Sequence, residues 1–162
     1  MSTRLEQYDG APEGEGVMVY RSDWYLLEVP ATFLTPLLPL LAAEAFKPST
    51  SPHISVIKDE APNRNRQDWG TAFVGETVRF KYNPTINGEN GLHFWIDCYS
   101  PRLCEIREHF GLPTLKRQDG VYLVNFHMTI GKRKQAVAPQ LRPQLRLSPQ
   151  SHIDVETGMQ HL

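Results

Sequence analysis

Two four-residue phrases, His53-Ile54-Ser55-Val56 and His127-Met128-Thr129-Ile130, repeat one polar–apolar alternation at distant points of the chain. Period-two alternation has a physical meaning in an extended strand, where residues i and i+2 project from one face and their neighbours from the other. Each phrase therefore predicts a strand that presents an imidazole and a hydroxyl together and turns its apolar residues into packing. Side by side, two such strands make a site of four groups: His53, Ser55, His127 and Thr129.

The chemistry supplies a reason for that set. Imidazole titrates near neutral pH, so one histidine can accept a proton while a protonated twin donates one. Such a pair suits metal-free transesterification of a phosphodiester. One histidine deprotonates a ribose 2'-hydroxyl, which attacks phosphorus, and the other protonates the departing 5'-oxygen. Ser55 and Thr129 donate hydrogen bonds to the phosphoryl oxygens as negative charge builds there. The spacing does not say which histidine is the base. The other four histidines lack the phrase: His93 falls in a strand-like run, His109 in a helix-like one, and His152 and His161 in a polar tail. Structural or solvated roles are expected of these.

The two H-x-[ST]-x phrases resemble the signature of the two-histidine (2H) phosphoesterases. Further stretches, Asp68-Trp69-Gly70, Leu92-His93-Phe94-Trp95-Ile96 and Phe126-His127-Met128-Thr129-Ile130-Gly131, are similar to the phage anti-CBASS branch, nucleases that destroy the cyclic-oligonucleotide alarm signals of bacteria. The resemblance covers roughly residues 17 to 134. It implies an α+β fold with two pseudo-symmetric sheet lobes and flanking helices around a central cleft, the histidine strands facing each other across it. It also implies cleavage of 3'-5' linkages in a cyclic di- or trinucleotide, with no cofactor and no metal, as a counter-defence in the cytoplasm of a bacterial host. Ser55 stands where threonine is frequent in the family and keeps the hydroxyl donor.

Composition narrows the partners. With 17 basic against 18 acidic residues and a formal charge of −1, the chain has no global field for gripping long nucleic acid, and a compact nucleotide is the expected partner. A chain of 162 residues is expected to form one domain, here residues 17–162, preceded by a polar, glycine-rich leader over residues 1–16 that is expected to be mobile. No long apolar run, signal pattern or lipidation motif is seen, so a soluble cytoplasmic protein without membrane contact is expected. Cys98 and Cys104 match neither a CxxC nor a zinc-ligand spacing, and buried free thiols are expected.

One or two strands are predicted over 17–29, broken near Arg21-Ser22-Asp23. A helix follows over 31–46, its first half disturbed by Pro36 and Pro39. The first histidine strand covers 53–58, and 59–68 reads as a polar loop. Strands over 71–82 and 92–99 form a hairpin across Asn83-Pro84 and Asn87-Gly88. Ser100-Pro101 starts a helix that stops at Gly111, and the second histidine strand covers 122–131. The proline-rich segment after Ala138 lacks periodicity.

Ligand-holding residues are weaker candidates. Tyr20, Tyr25, Trp69, Trp95 and Tyr99 are aromatic, and Tyr20 and Trp69 are favoured for stacking on a base because polar sequence adjoins them. Lys132, Arg133 and Lys134 follow the second phrase and are placed to hold phosphate at the rim, and Glu156 in the tail is placed to contact a ribose hydroxyl or a guanine edge. Two other functions fit the same phrases. One is a 2',3'-cyclic phosphodiesterase acting on RNA ends, which product analysis separates. The other is a non-catalytic sponge that holds the nucleotide intact.

Overall fold

The structure is a computed structural model that describes residues 8–43, 46–88, 92–114, 125–133 and 145–146. Its frame consists of strands β1 (Glu13–Arg21), β2 (Trp24–Glu28), β3 (Lys47–Pro48), β4 (His53–Ile57), β5 (Thr77–Tyr82), β7 (His93–Tyr99) and β8 (Phe126–Lys132). A short pair, β6 (Thr85–Ile86) and β9 (Leu145–Arg146), forms a second sheet, joined to β7 by a bridge between Asn87 and Trp95. Helix α1 (Leu38–Ala43) continues a 3-10 turn over Ala31–Leu37 that contains Pro36, and α2 is Pro101–His109. The fold is α+β, as expected, and the strand pairings of its main sheet are antiparallel.

The sheet runs β3-β8-β4-β2-β1-β5-β7, and a further pairing of β7 with β8 brings it back on itself. Six strands therefore form a closed ring, with β3 carried on the same edge of β8 as β4. The ring divides into two equivalent halves. β1, β2, helix α1 and β4 follow the same order as β5, β7, helix α2 and β8, and the halves meet at β1–β5 and at β4–β8. The histidine strands are thus hydrogen-bonded neighbours in one sheet and do not face each other across a groove.

Local chemistry explains the elements. Ser22 and Asp23 both take positive φ, 52° and 67°, the left-handed pair that a two-residue hairpin turn between β1 and β2 requires. Ser100 caps α2 by accepting a hydrogen bond from the Leu103 N–H at 3.3 Å, with Pro101 at the first helical position, and Gly111 takes φ 71° just beyond its end.

Two predictions are corrected. The leader expected over 1–16 is already strand from Glu13, paired with β5 through Gly14↔Phe80 and Gly16↔Val78. Its glycines are structural: a Cβ on Gly14 would strike the Phe80 ring, and one on Gly16 the Glu28 carbonyl. The strand expected over 71–82 begins only at Thr77, because Gly70, Phe73 and Gly75 adopt positive φ and hold 69–75 in turns. Glu156 and Lys134 lie outside the described residues, as do residues 1–7, 115–124 and most of the proline-rich segment.

One apolar cluster fills the inner face, from Met18, Leu27, Ile54, Ile96 and Met128 on the strands to Leu34 and Leu41 before and within α1 and Leu103 and Ile106 on α2. Cys98 and Cys104 are buried free thiols. Burial pushes the Cys98 thiol far above its ordinary range, and the neighbouring Asp97 charge adds to the effect. Arg107, nearly buried, ties α2 to the end of β4. Its guanidinium donates to the Val56 carbonyl at 2.9 Å, to the two Glu60 carboxylate oxygens at 2.8 and 2.9 Å, and to the Pro113 carbonyl at 3.1 Å.

Candidate active site

Ile54 and Met128 are partners in the antiparallel pairing of β4 with β8. Both are fully buried, so the residues flanking them point outward. Continuing the register by one residue each way sets His53 across from Thr129 and Ser55 across from His127. All four sequence-predicted groups thus meet on one solvent-facing patch, where His127 is exposed and the others half-exposed. Directly opposed side chains on such a patch have Cβ atoms about 4.5–5.5 Å apart, and diagonal neighbours stand about 7–8 Å apart. The two histidines occupy one diagonal and the two hydroxyls the other.

The patch extends over the flanking strands. On β2, Glu28 stands across from His53 and Leu26 from Ser55. On β7, Trp95 stands across from Thr129 and Asp97 from His127. Two rows of four result: Glu28, His53, Thr129, Trp95 and Leu26, Ser55, His127, Asp97. A local two-fold axis through the Ile54–Met128 pair exchanges the histidines, the hydroxyls and the two carboxylates. Each histidine therefore has a hydroxyl on one side and a carboxylate on the other.

The symmetry is broken in how those groups are held. The Nδ1 of His53 lies 3.0 Å from the Ser51 carbonyl. A carbonyl oxygen only accepts, so Nδ1 donates here, and the tautomer this selects has Nε2 as its acceptor. Glu28 is paired with Arg21, which offsets its charge beside His53. Asp97 instead accepts a hydrogen bond from the neutral Asn87 side chain at 3.3 Å, and among the described residues no cationic side chain is paired with it. The Trp95 indole meets the His127 ring edge-on, with centroids 6.5 Å apart.

The weaker candidates separate. Lys132 is exposed at the outer end of β8, paired with His93 and Lys47. Arg133 turns away: its guanidinium lies 4.3 Å from the centre of the Phe46 ring. Tyr20 and Trp69 are not brought to this patch. Tyr20 follows the inward alternation of Met18 and packs edge-on against Tyr25 at 5.2 Å and Trp69 at 5.9 Å, while Trp69 packs against Phe110 at 5.0 Å. The Tyr20 hydroxyl is taken up by the exposed turn residue Asp23, which accepts from it at 2.7 Å and raises its pKa.

Glu28, Asp97 and Lys47 carry no motif in the sequence. The alternation His93, Trp95, Asp97 was legible as one strand face, but the partner of that face was not.

Among the described residues, no group of three or more His, Cys, Asp or Glu side chains is placed to hold a metal ion, and no helix is long and apolar enough to cross a membrane. No protein-family model matches the chain, and neither a curated protein nor a solved structure does.

Proposed function

We propose that this protein is a metal-independent phosphodiesterase of the two-histidine kind that opens small cyclic oligonucleotides at a 3'-5' linkage. The observation that carries the proposal is the crossed pair of diagonals, histidines on one and hydroxyls on the other, about a single point on an open face. In-line displacement at phosphorus needs a proton acceptor beside the attacking oxygen and a proton donor beside the leaving oxygen, on opposite sides of the phosphate. The histidine diagonal supplies both. The hydroxyl diagonal places Ser55 and Thr129 beside the non-bridging oxygens, where charge accumulates.

The asymmetry of support favours one division of roles. His53, with its proton held on Nδ1 by the Ser51 carbonyl, is the base: Nε2 takes the proton of the ribose 2'-hydroxyl as the 2'-oxygen bonds to phosphorus. His127, facing the Asp97 carboxylate, is the acid: it gives its proton to the 5'-oxygen as the P–O5' bond breaks. The product is a linear chain ending in a 2',3'-cyclic phosphate. In keeping with the resemblance of its sequence, the reaction serves a phage by removing a host alarm nucleotide.

His53→Ala and His127→Ala test the assignment. Each is expected to lose turnover of a cyclic dinucleotide while still binding it. An analogue with a 2'-deoxyribose at the scissile linkage should resist the wild-type protein. Cleavage of that analogue, or turnover that survives either substitution, contradicts the mechanism.

A further inference from the structure

The outward face of β7 continues one position beyond Trp95, to His93. His93 stands across from Lys132, and Lys132 stands across from Lys47 on β3. All three are exposed. The register shift between Phe94 and Trp95 puts its extra residue on β8, at Ile130, so β7 keeps strict alternation. His93 therefore shares the face of Trp95, and with it the face of Thr129. The row Lys47, Lys132, His93 lies next to the row containing His53 and Thr129, about 7 Å further along β7.

Such a row is electrostatically unfavourable for the sheet. Like charges directly opposite each other on neighbouring strands destabilise the pairing. Among the described residues neither lysine has an ion-pair partner, whereas Arg21, Arg79, Arg102 and Arg107 each have a carboxylate. On the patch the cationic end, at Lys47 and Lys132, is separated from Asp97 by the histidine rows, where the Glu28 carboxylate is offset by Arg21. A phosphate group at the cationic end would relieve the repulsion that the sheet otherwise bears, and lysine ammonium groups serve as point-charge phosphate ligands.

We propose that Lys47 and Lys132, with His93 beside them, form a second phosphate site that holds the non-reacting phosphodiester of a cyclic substrate. This rests on the phosphodiesterase function proposed above and adds to it a source of selectivity. A cyclic oligonucleotide carries a second phosphodiester at a fixed distance from the one being cleaved. A linear dinucleoside monophosphate has only one, and leaves the lysine row empty. The site therefore favours rings over short linear substrates through binding, without taking part in bond making or breaking.

The test compares wild-type protein with Lys47→Gln/Lys132→Gln on two substrates: a 3',5'-linked cyclic dinucleotide and a linear dinucleoside monophosphate that retains its 2'-hydroxyl. On the ring, kcat/KM is expected to fall roughly 10- to 100-fold, mainly through KM, and its dependence on salt to flatten. On the linear substrate it should change by less than about twofold. Equal losses on both substrates, or none on the ring, overturn the proposal. A second arm needs no turnover: the intact cyclic dinucleotide is titrated into His53→Ala protein with and without the two glutamines. Weaker, less salt-dependent binding with the glutamines supports the site, whereas absent binding, or binding indifferent to the lysines, overturns it. Failure of the wild-type protein to cleave either substrate would instead overturn the phosphodiesterase function, and the titration would still decide the lysine row.

Discussion

Ile54 and Met128 face each other inside the core across the β4–β8 pairing, each fully buried, and this pairing sets how the two histidines and the two hydroxyls oppose one another. A slip of one residue between these strands would move both histidines and both hydroxyls to the wrong partners, because the side-chain period of a strand is two. The site is thus an exposed consequence of a core contact.

Met128→Ala should therefore cost both stability and activity. Removing a buried methionine side chain costs about 2–5 kcal/mol, to be read from chemical denaturation. Turnover by the folded protein should fall as well, although Met128 points away from any substrate. Unchanged turnover in fully folded variant would show that the register does not depend on this pair.

His53→Ala and His127→Ala should each lower kcat by about 10²- to 10⁴-fold with little loss of stability, since both side chains are at least partly exposed. The double variant should be scarcely slower than the worse single one, because the proposed acid and base act together on one phosphate. Multiplying losses in the double variant would mean that the two rings act independently.

The rate should pass through a maximum with pH. A base that must be free of its proton and an acid that must hold one give such a profile when both act in the same step. Asp97→Asn should lower kcat and leave KM nearly unchanged, because the carboxylate supports His127 and not the ligand. A flat profile, or an Asp97→Asn effect confined to KM, would contradict the assigned roles.

Cys98 should resist thiol reagents in the native protein and react on unfolding, because burial raises its pKa and keeps the thiol neutral. The sign of the linkage follows. The unfolded thiol ionises above its ordinary value of about 8.5 while the folded one stays protonated, so this group makes the folded state progressively less stable as pH rises beyond that point. Cys98→Ser should remove most of that decline, which denaturation at several alkaline pH values would measure.

Arg107→Leu should destabilise the protein by about 2–3 kcal/mol, towards the lower end for a broken buried pair, because Glu60 retains access to water. Since Arg107 also holds the carbonyl of Val56, next to Ser55, the variant should lose activity beyond what its unfolded fraction explains. Comparing thermal stability with the specific activity of folded protein checks both.

The strands were legible where alternation was strict. His53–Ile57 and Phe126–Lys132 read as strands because buried and outward residues alternate, and the Ser100 cap, Pro101 and Gly111 marked both ends of α2. Gly14 and Gly16 misled, because a polar, glycine-rich stretch reads as a mobile leader, and here the glycines make room for Phe80 and the Glu28 backbone. The four central groups were legible because each pair lies within one phrase. Glu28, Asp97 and Lys47 were not, since register between distant strands brings them to the site and no local pattern encodes register. Tyr20 and Trp69 attracted attention as aromatics beside polar sequence, yet their rings pack against Tyr25 and Phe110.

The central claim is tested most directly by incubating the wild-type protein in EDTA with a panel of 3',5'-linked cyclic di- and trinucleotides and determining the mass of the products. Acid–base cleavage by His53 and His127 predicts linear products, first ending in a 2',3'-cyclic phosphate, with none formed by the His127→Ala protein. Intact nucleotides throughout, or cleavage that appears only when a divalent metal is restored, would contradict it.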